Sequence, residues 1–187
     1  MAQAETNPVA PESPPADARH YLILSTAGRH GTAELWRAPD GRRMGRLHVE
    51  LRGMVWDETE SIGVRPDGTL LNYRLRGTSP NGDVAESFDV ADGRASWASP
   101  FDSGTRDGVA GAFYVPAGWA IGTNPLLLER LLSSRRDLSL LPGGTARSEE
   151  LTRLKVSVDG RPEVLTAWSV TGIFGTPWVV WTDARHG

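Results

Sequence analysis

The chain has no cysteine, which excludes disulfides, thiolate metal sites and a cysteine nucleophile. Its 20 basic and 23 acidic residues are interspersed, for a formal charge of −3. No basic stripe is present, which argues against a nucleic-acid partner. Apolar runs extend for only a few residues, far short of the roughly 20 that a membrane-spanning helix needs. The four histidines, His20, His30, His48 and His186, never fall within four residues of one another. Neither HxH nor HExxH therefore occurs, and a histidine metal site has no local support. GxGxxG, GxxxxGK[ST] and GxSxG are also missing, which removes the usual nucleotide-binding and serine-hydrolase entry points.

What is present is β-structure. Asp40-Gly41, Asp67-Gly68, Asp92-Gly93 and Asp159-Gly160, with Asn81-Gly82 as a further candidate, suit the positive-φ positions of tight hairpin turns. The flanks alternate. Leu47, Val49 and Leu51 interleave with Arg46, His48, Glu50 and Arg52, and Leu71, Tyr73 and Leu75 with Asn72, Arg74 and Arg76. Such a period of two predicts one buried and one wet sheet face. One helix interrupts the strands. Asn124 is its expected cap, Pro125 its first position, and Arg135 and Arg136 suit its C-terminal dipole. Leu127/Leu131 and Leu128/Leu132 form an apolar stripe that must pack on something. Three more strands are expected near 151–158, 163–171 and 176–182.

The fold class read from this pattern is mainly β with one helix: a curved antiparallel meander wrapped around a single leucine-rich helix. Residues 1–19 read as a Pro/Ala-rich disordered tether and 20–187 as one β-rich domain, a length that can bury roughly 70 % of its unfolded surface. Ala2-Gln3-Ala4 looks like the small-residue boundary left after a signal peptide, which points to export.

Few residues look chemical. Phe101-Asp102-Ser103-Gly104-Thr105 matches the short core of aspartic proteases, which makes Asp102 a weak catalytic candidate. Such an enzyme needs two like carboxylates sharing a proton, here through a symmetric dimer. The charged Arg106-Asp107 that follows speaks against it, and a polar turn is the better reading. Glu60 shares strand parity with Trp56, Ile62 and Val64, and Glu86 with Val84, Phe88 and Val90. Both are candidate ligand-binding or acid–base groups if those faces are buried. A strand end that is still wet, or an arginine partner, is the more ordinary arrangement. Among the seven tryptophans, Trp97, Trp168 and Trp178 read as strand core, and Trp119 as the candidate exposed contact.

Taken in order, several short motifs form a pattern: Glu86-Ser87-Phe88, Trp97-Ala98-Ser99, Asp102-Ser103-Gly104, Gly111-Ala112-Phe113-Tyr114-Val115-Pro116, Leu140-Leu141-Pro142-Gly143-Gly144 and Val170-Thr171-Gly172. From Tyr21 to Asp183 this resembles the N-terminal β-rich region of exported bacterial amidohydrolase-family proteins, which precedes a metal-dependent β/α-barrel hydrolase domain. The resemblance implies a noncatalytic, periplasmic β-domain that covers or assembles an amidohydrolase catalytic domain, in cis or in trans. It implies no cofactor in this chain, with a divalent metal such as zinc only in the partner domain, whose ligands have no counterpart here. The terminal strand around Trp178–Trp181 would then be a junction. The alternative is a periplasmic carrier for an apolar or acyl ligand, which needs a cavity between sheet and helix.

Overall fold

Two of the dipeptides take left-handed backbone at both residues. Asp92-Gly93 has φ values of 50° and 77°, and Asp159-Gly160 has 50° and 75°, the pair of positive angles that a two-residue hairpin turn needs. Arg52-Gly53, at 55° and 77°, makes the same kind of turn without an aspartate or asparagine to announce it. At Asp67-Gly68 the loop is wider, and the Asp67 carboxylate accepts from both the Thr69 amide and hydroxyl. These turns join strands in a computed structural model that describes residues 13–118, 121–133 and 137–183.

The first eight strands pair in chain order: β1 (Arg19–Ser25), β2 (Gly28–Arg37), β3 (Arg43–Leu51), β4 (Met54–Val64), β5 (Leu70–Ser79), β6 (Gly82–Ala91), β7 (Arg94–Ala98) and β8 (Ser103–Asp107). All their pairings are antiparallel. The chain then forms β9 (Phe113–Tyr114), helix α1 (Thr123–Ser133), β10 (Leu138–Leu141), β11 (Thr145–Val158), β12 (Arg161–Thr171) and β13 (Trp178–Thr182). These last strands make a second sheet in the order β13-β12-β11-β10-β9, where β9 and β10 run parallel. The protein is thus mainly β with one helix, as expected, but two sheets replace the single curved sheet read from the sequence. The helix opens at Thr123, so Asn124 lies in its first turn and not at the cap. Arg135 and Arg136 lie outside the described residues.

Packing follows the alternation. Leu126, Leu127, Leu128 and Leu131 are buried against Ile62, Tyr73, Leu75 and Phe88 of the first sheet, with Leu138, Leu140, Ala146 and Val170 of the second closing the same core. Each buried leucine contributes on the order of 1.5–3 kcal/mol, so the helix is held by packing far more than by propensity. A second cluster, Ala33, Leu47, Val49 and Trp56, lies toward β2 and β3 and also receives Ile121. A third, on the opposite face, joins Trp36, Ala38 and Met44 to Ala18. Ala18 is 7 % exposed and β1 starts at Arg19, so packed structure begins ahead of residue 20. The tryptophans read as core are not the buried ones. Trp36 and Trp56 are buried, whereas Trp97, Trp168 and Trp178 are only half-buried. No helix among the described residues is long and apolar enough to cross a membrane.

Candidate functional site

The strand register puts three glutamates side by side on the face that packs the core. Glu60 of β4 lies opposite Leu75 of β5, which in turn lies opposite Glu86 of β6. Glu58 is two residues from Glu60 on the same face, opposite Leu47 on β3. All three are 1–2 % exposed. They fill the seam between the large core cluster and the Ala33–Trp56 cluster. Glu60 and Glu86 are therefore neither at a wet strand end nor held by an arginine. Arg74 and Arg76 of β5 have the opposite parity and spend their guanidinium groups on the carbonyls of Tyr73, Phe88 and Leu75.

The partners come from the segment between β9 and α1. Glu86 Oε1 accepts from the Tyr114 hydroxyl at 2.6 Å and from the Ala117 amide at 2.9 Å, and Oε2 accepts from the Gly118 amide at 3.0 Å. Glu60 Oε1 accepts a short hydrogen bond from the Gly122 amide. Two strand carboxylates thus tie down both ends of a glycine-bearing loop, and these bonds replace the water that the acids lose. Small residues make room for them. A Cβ on Gly45 or Gly122 would fall against the Glu60 carboxyl, and one on Gly118 would strike Leu75. Replacing Gly45 with alanine should destabilise the fold by about 1–3 kcal/mol, read from urea denaturation. An unchanged midpoint would show that Glu60 is free to move.

Electrostatics differ among the acids. Burial raises Glu60 from 4.5 to about 7, and nearby Glu58 and Glu86 add to this, while the Gly122 amide and Tyr73 oppose it. The Tyr73 hydroxyl acts on Glu60 electrostatically, without the geometry of a full hydrogen bond. Burial and the same carboxylates push the Tyr73 phenol well above its ordinary value. Tyr114 is raised by burial and by its bond to Glu86, and its ring stacks on Phe88 at 4.4 Å. Sealed from solvent and engaged by backbone amides, these acids suit the work of positioning a loop. Among the described residues, no group of three or more His, Asp or Glu side chains is placed to hold a metal ion.

The positioned loop forms one wall of an apolar cleft of about 370 Å³, with Phe113, Leu127, Ile173, Phe174 and Trp178 on its other sides. Phe174 meets Trp178 edge-to-face at 6.2 Å and is 63 % exposed. No family model, curated protein or solved structure matches this chain.

The remaining candidates separate from this site. Asp102 lies in the exposed turn between β7 and β8, where Oδ2 accepts from the Trp97 indole at 2.9 Å and Ser99 Oγ caps the turn amides. That is the polar turn. Trp119 falls outside the described residues. Glu58 and Tyr114 were missed as members of the site. Parity with Trp56 and Glu60 marks Glu58 as inward-facing, but no local pattern says that Tyr114 reaches a strand 28 residues earlier.

Proposed function

We propose that this chain is a noncatalytic β-module that seats on the catalytic domain of an exported amidohydrolase-like C–N hydrolase, in cis or in trans, and covers or assembles it. In this reading the periplasm is the compartment, and a divalent metal such as zinc belongs to the partner alone. The observation that carries the reading is the outer face of the second sheet. Leu154 lies opposite Leu165, Ala167 opposite Trp181, and Ser169 opposite Val179, so the period of two places all of them on one side. Leu154, Val179 and Trp181 are 50, 49 and 45 % exposed. The other side carries Val170, Trp178 and Val180 into the core. A sheet apolar on both faces is built to be covered on both. β13 is also an edge strand, with backbone groups free to pair with another strand.

The packing beneath α1 favours this reading over a carrier. The space between helix and sheet is filled by Leu126, Leu127, Leu128 and Leu131 against Ile62, Tyr73 and Phe88. The cleft beside the helix is an observation on the carrier's side, since its size falls within the range of small-ligand sites. Saturable displacement of an apolar fluorescent probe by fatty acids would move the carrier reading to first place.

Antibody against this chain should detect, in native extracts, a species well above 20.3 kDa. The captured material should hydrolyse amide bonds and lose that activity to a chelator. Leu154→Glu with Trp181→Glu should abolish association with the hydrolase or, in a single polypeptide, lower its thermal stability. A chain running near 20.3 kDa with no metal-dependent hydrolase attached would overturn the proposal.

A further inference from the structure

A second groove, of about 460 Å³, lies on the same sheet face but at its other end, between α1 and strands β1–β3. Three of its lining residues are arginines: Arg19 on β1, Arg37 on β2 and Arg43 on β3. Their arrangement follows from the register. Arg37 and Arg43 are direct cross-strand partners. Arg19 pairs with Leu35, two residues from Arg37, so it has the same parity and lies diagonally across from it. Sheets avoid like charges in directly opposed positions, because Cβ atoms there are only about 5 Å apart and the pair repels. Here a third guanidinium is added to such a pair.

The charges of this chain offer only partial compensation. Glu129 of α1 approaches Arg43 at 3.8 Å, a loose contact, and its side chain is half in solvent. Asp17 also lines the groove, and among the described residues neither Arg19 nor Arg37 has an ion pair. Arg43 is the most enclosed of the three, at 29 % side-chain exposure. Its Nε is buried and has no hydrogen-bond acceptor among the described residues, an arrangement that ordinarily costs stability. Burial lowers the pKa of the Arg43 guanidinium; Glu129 opposes this, and Arg37 and Arg19 add to it. An oxyanion between the guanidinium groups would relieve the repulsion and supply the missing acceptor, since planar guanidinium forks match carboxylate and phosphate oxygens. Beside the charges the groove offers Tyr21, Leu35 and Pro125, an apolar wall for the body that carries the anion.

We propose that this groove is a binding site for a small organic oxyanion, in which Arg37 and Arg43 grip a phosphate or carboxylate group while its apolar body rests on Tyr21 and Pro125. The site is separate from the outer face of the second sheet, so its fate does not depend on the partner-binding reading. Glu129 occupies the position of an internal competitor, held near Arg43 until a ligand displaces it.

Calorimetric titration of the full 187-residue chain with phenyl phosphate, benzoate, inorganic phosphate and benzylamine tests this. Phenyl phosphate or benzoate should bind saturably, and whichever of the two binds more tightly identifies the headgroup. Inorganic phosphate should bind at least about tenfold more weakly than phenyl phosphate, and benzylamine not at all. Arg37→Gln, an exposed substitution that leaves the core untouched, should weaken the best ligand about tenfold or more, and Arg43→Gln likewise. Glu129→Gln should strengthen it severalfold by removing the competing carboxylate. Absence of saturation by any of the anions, or affinity unchanged in folded Arg37→Gln, would overturn the site. Inorganic phosphate binding as tightly as phenyl phosphate would overturn the apolar-body part of it.

Discussion

Glu86→Ala should unfold at a temperature lower than the parent chain by on the order of 10 °C, a loss of about 3–5 kcal/mol. The side chain is 1 % exposed and accepts three hydrogen bonds, from the Tyr114 hydroxyl and the Ala117 and Gly118 amides. Truncation removes both acceptor oxygens at once and leaves three donors facing a void between Leu75 and the loop. The Tyr114 hydroxyl is then stranded in the core, while the Ala117 and Gly118 amides lie beside the cleft. Glu86→Gln should lose less, because its carbonyl still accepts on one side while its amide meets a donor on the other. Thermal and urea denaturation of both variants checks the order Ala below Gln below parent. A loss under about 1 kcal/mol for alanine would mean that the loop holds its place without this carboxylate. The substitution should also loosen the wall of the Phe113–Trp178 cleft, since Ala117 and Gly118 line it.

The second large effect runs against the usual response of proteins to acid. Glu60 has its pKa raised from 4.5 to about 7, first by burial and then by the neighbouring Glu58 and Glu86 carboxylates. A folded-state value above the unfolded one means that the native protein holds this proton more tightly. Its contribution to stability is fully present below the unfolded value and is lost as pH rises through about 7. The span corresponds to about 3 kcal/mol between mildly acidic and mildly alkaline solution. Stability should therefore fall between about pH 5 and pH 8. Asp40, Asp67 and Glu150 are shifted the other way, by hydrogen bonds from Arg42, Thr69 and Arg153 respectively. They lie at the surface, where such pairs contribute little. Glu60→Gln keeps an acceptor for the Gly122 amide but has no proton to lose, so its stability should be nearly flat over this interval and should exceed the parent's at pH 8. Urea midpoints measured across the range decide the matter. A parent profile that is flat or rises with pH would show that Glu60 ionises without cost.

Both effects come from residues whose inward direction was legible in the chain. The alternation of Trp56, Glu58, Glu60 and Ile62, and of Val84, Glu86 and Phe88, puts the acids on the apolar face of their strands, and the register confirms it. What satisfies them was not legible. The donors are amides of a loop 31, 32 and 62 residues away, and an amide donor has no side-chain signature to search for. A wet strand end or an arginine partner was the ordinary expectation, and Arg74 and Arg76 are the arginines of the neighbouring strand. Period-two geometry sends both to the other face of β5.

The turns show the same division. Asp92-Gly93 and Asp159-Gly160 declare themselves because glycine and aspartate tolerate left-handed backbone. Arg52 adopts φ 55° because the β3–β4 register demands it. Sequence alone determined the strand-rich class, most of the hairpins, the helix with its leucine stripe, and the inward parity of Glu60 and Glu86. Those are local matters, decided by backbone preference and by the period of side chains. Tertiary structure alone decided that the meander splits into two sheets, that Phe113-Tyr114 runs parallel to β10, that the loop beyond it closes over the buried acids, and that Arg19, Arg37 and Arg43 converge at one groove. Each of these depends on which strand lies beside which. That is settled by burying apolar surface and pairing polar groups across long chain separations, a sum over the whole molecule that no short stretch of sequence contains.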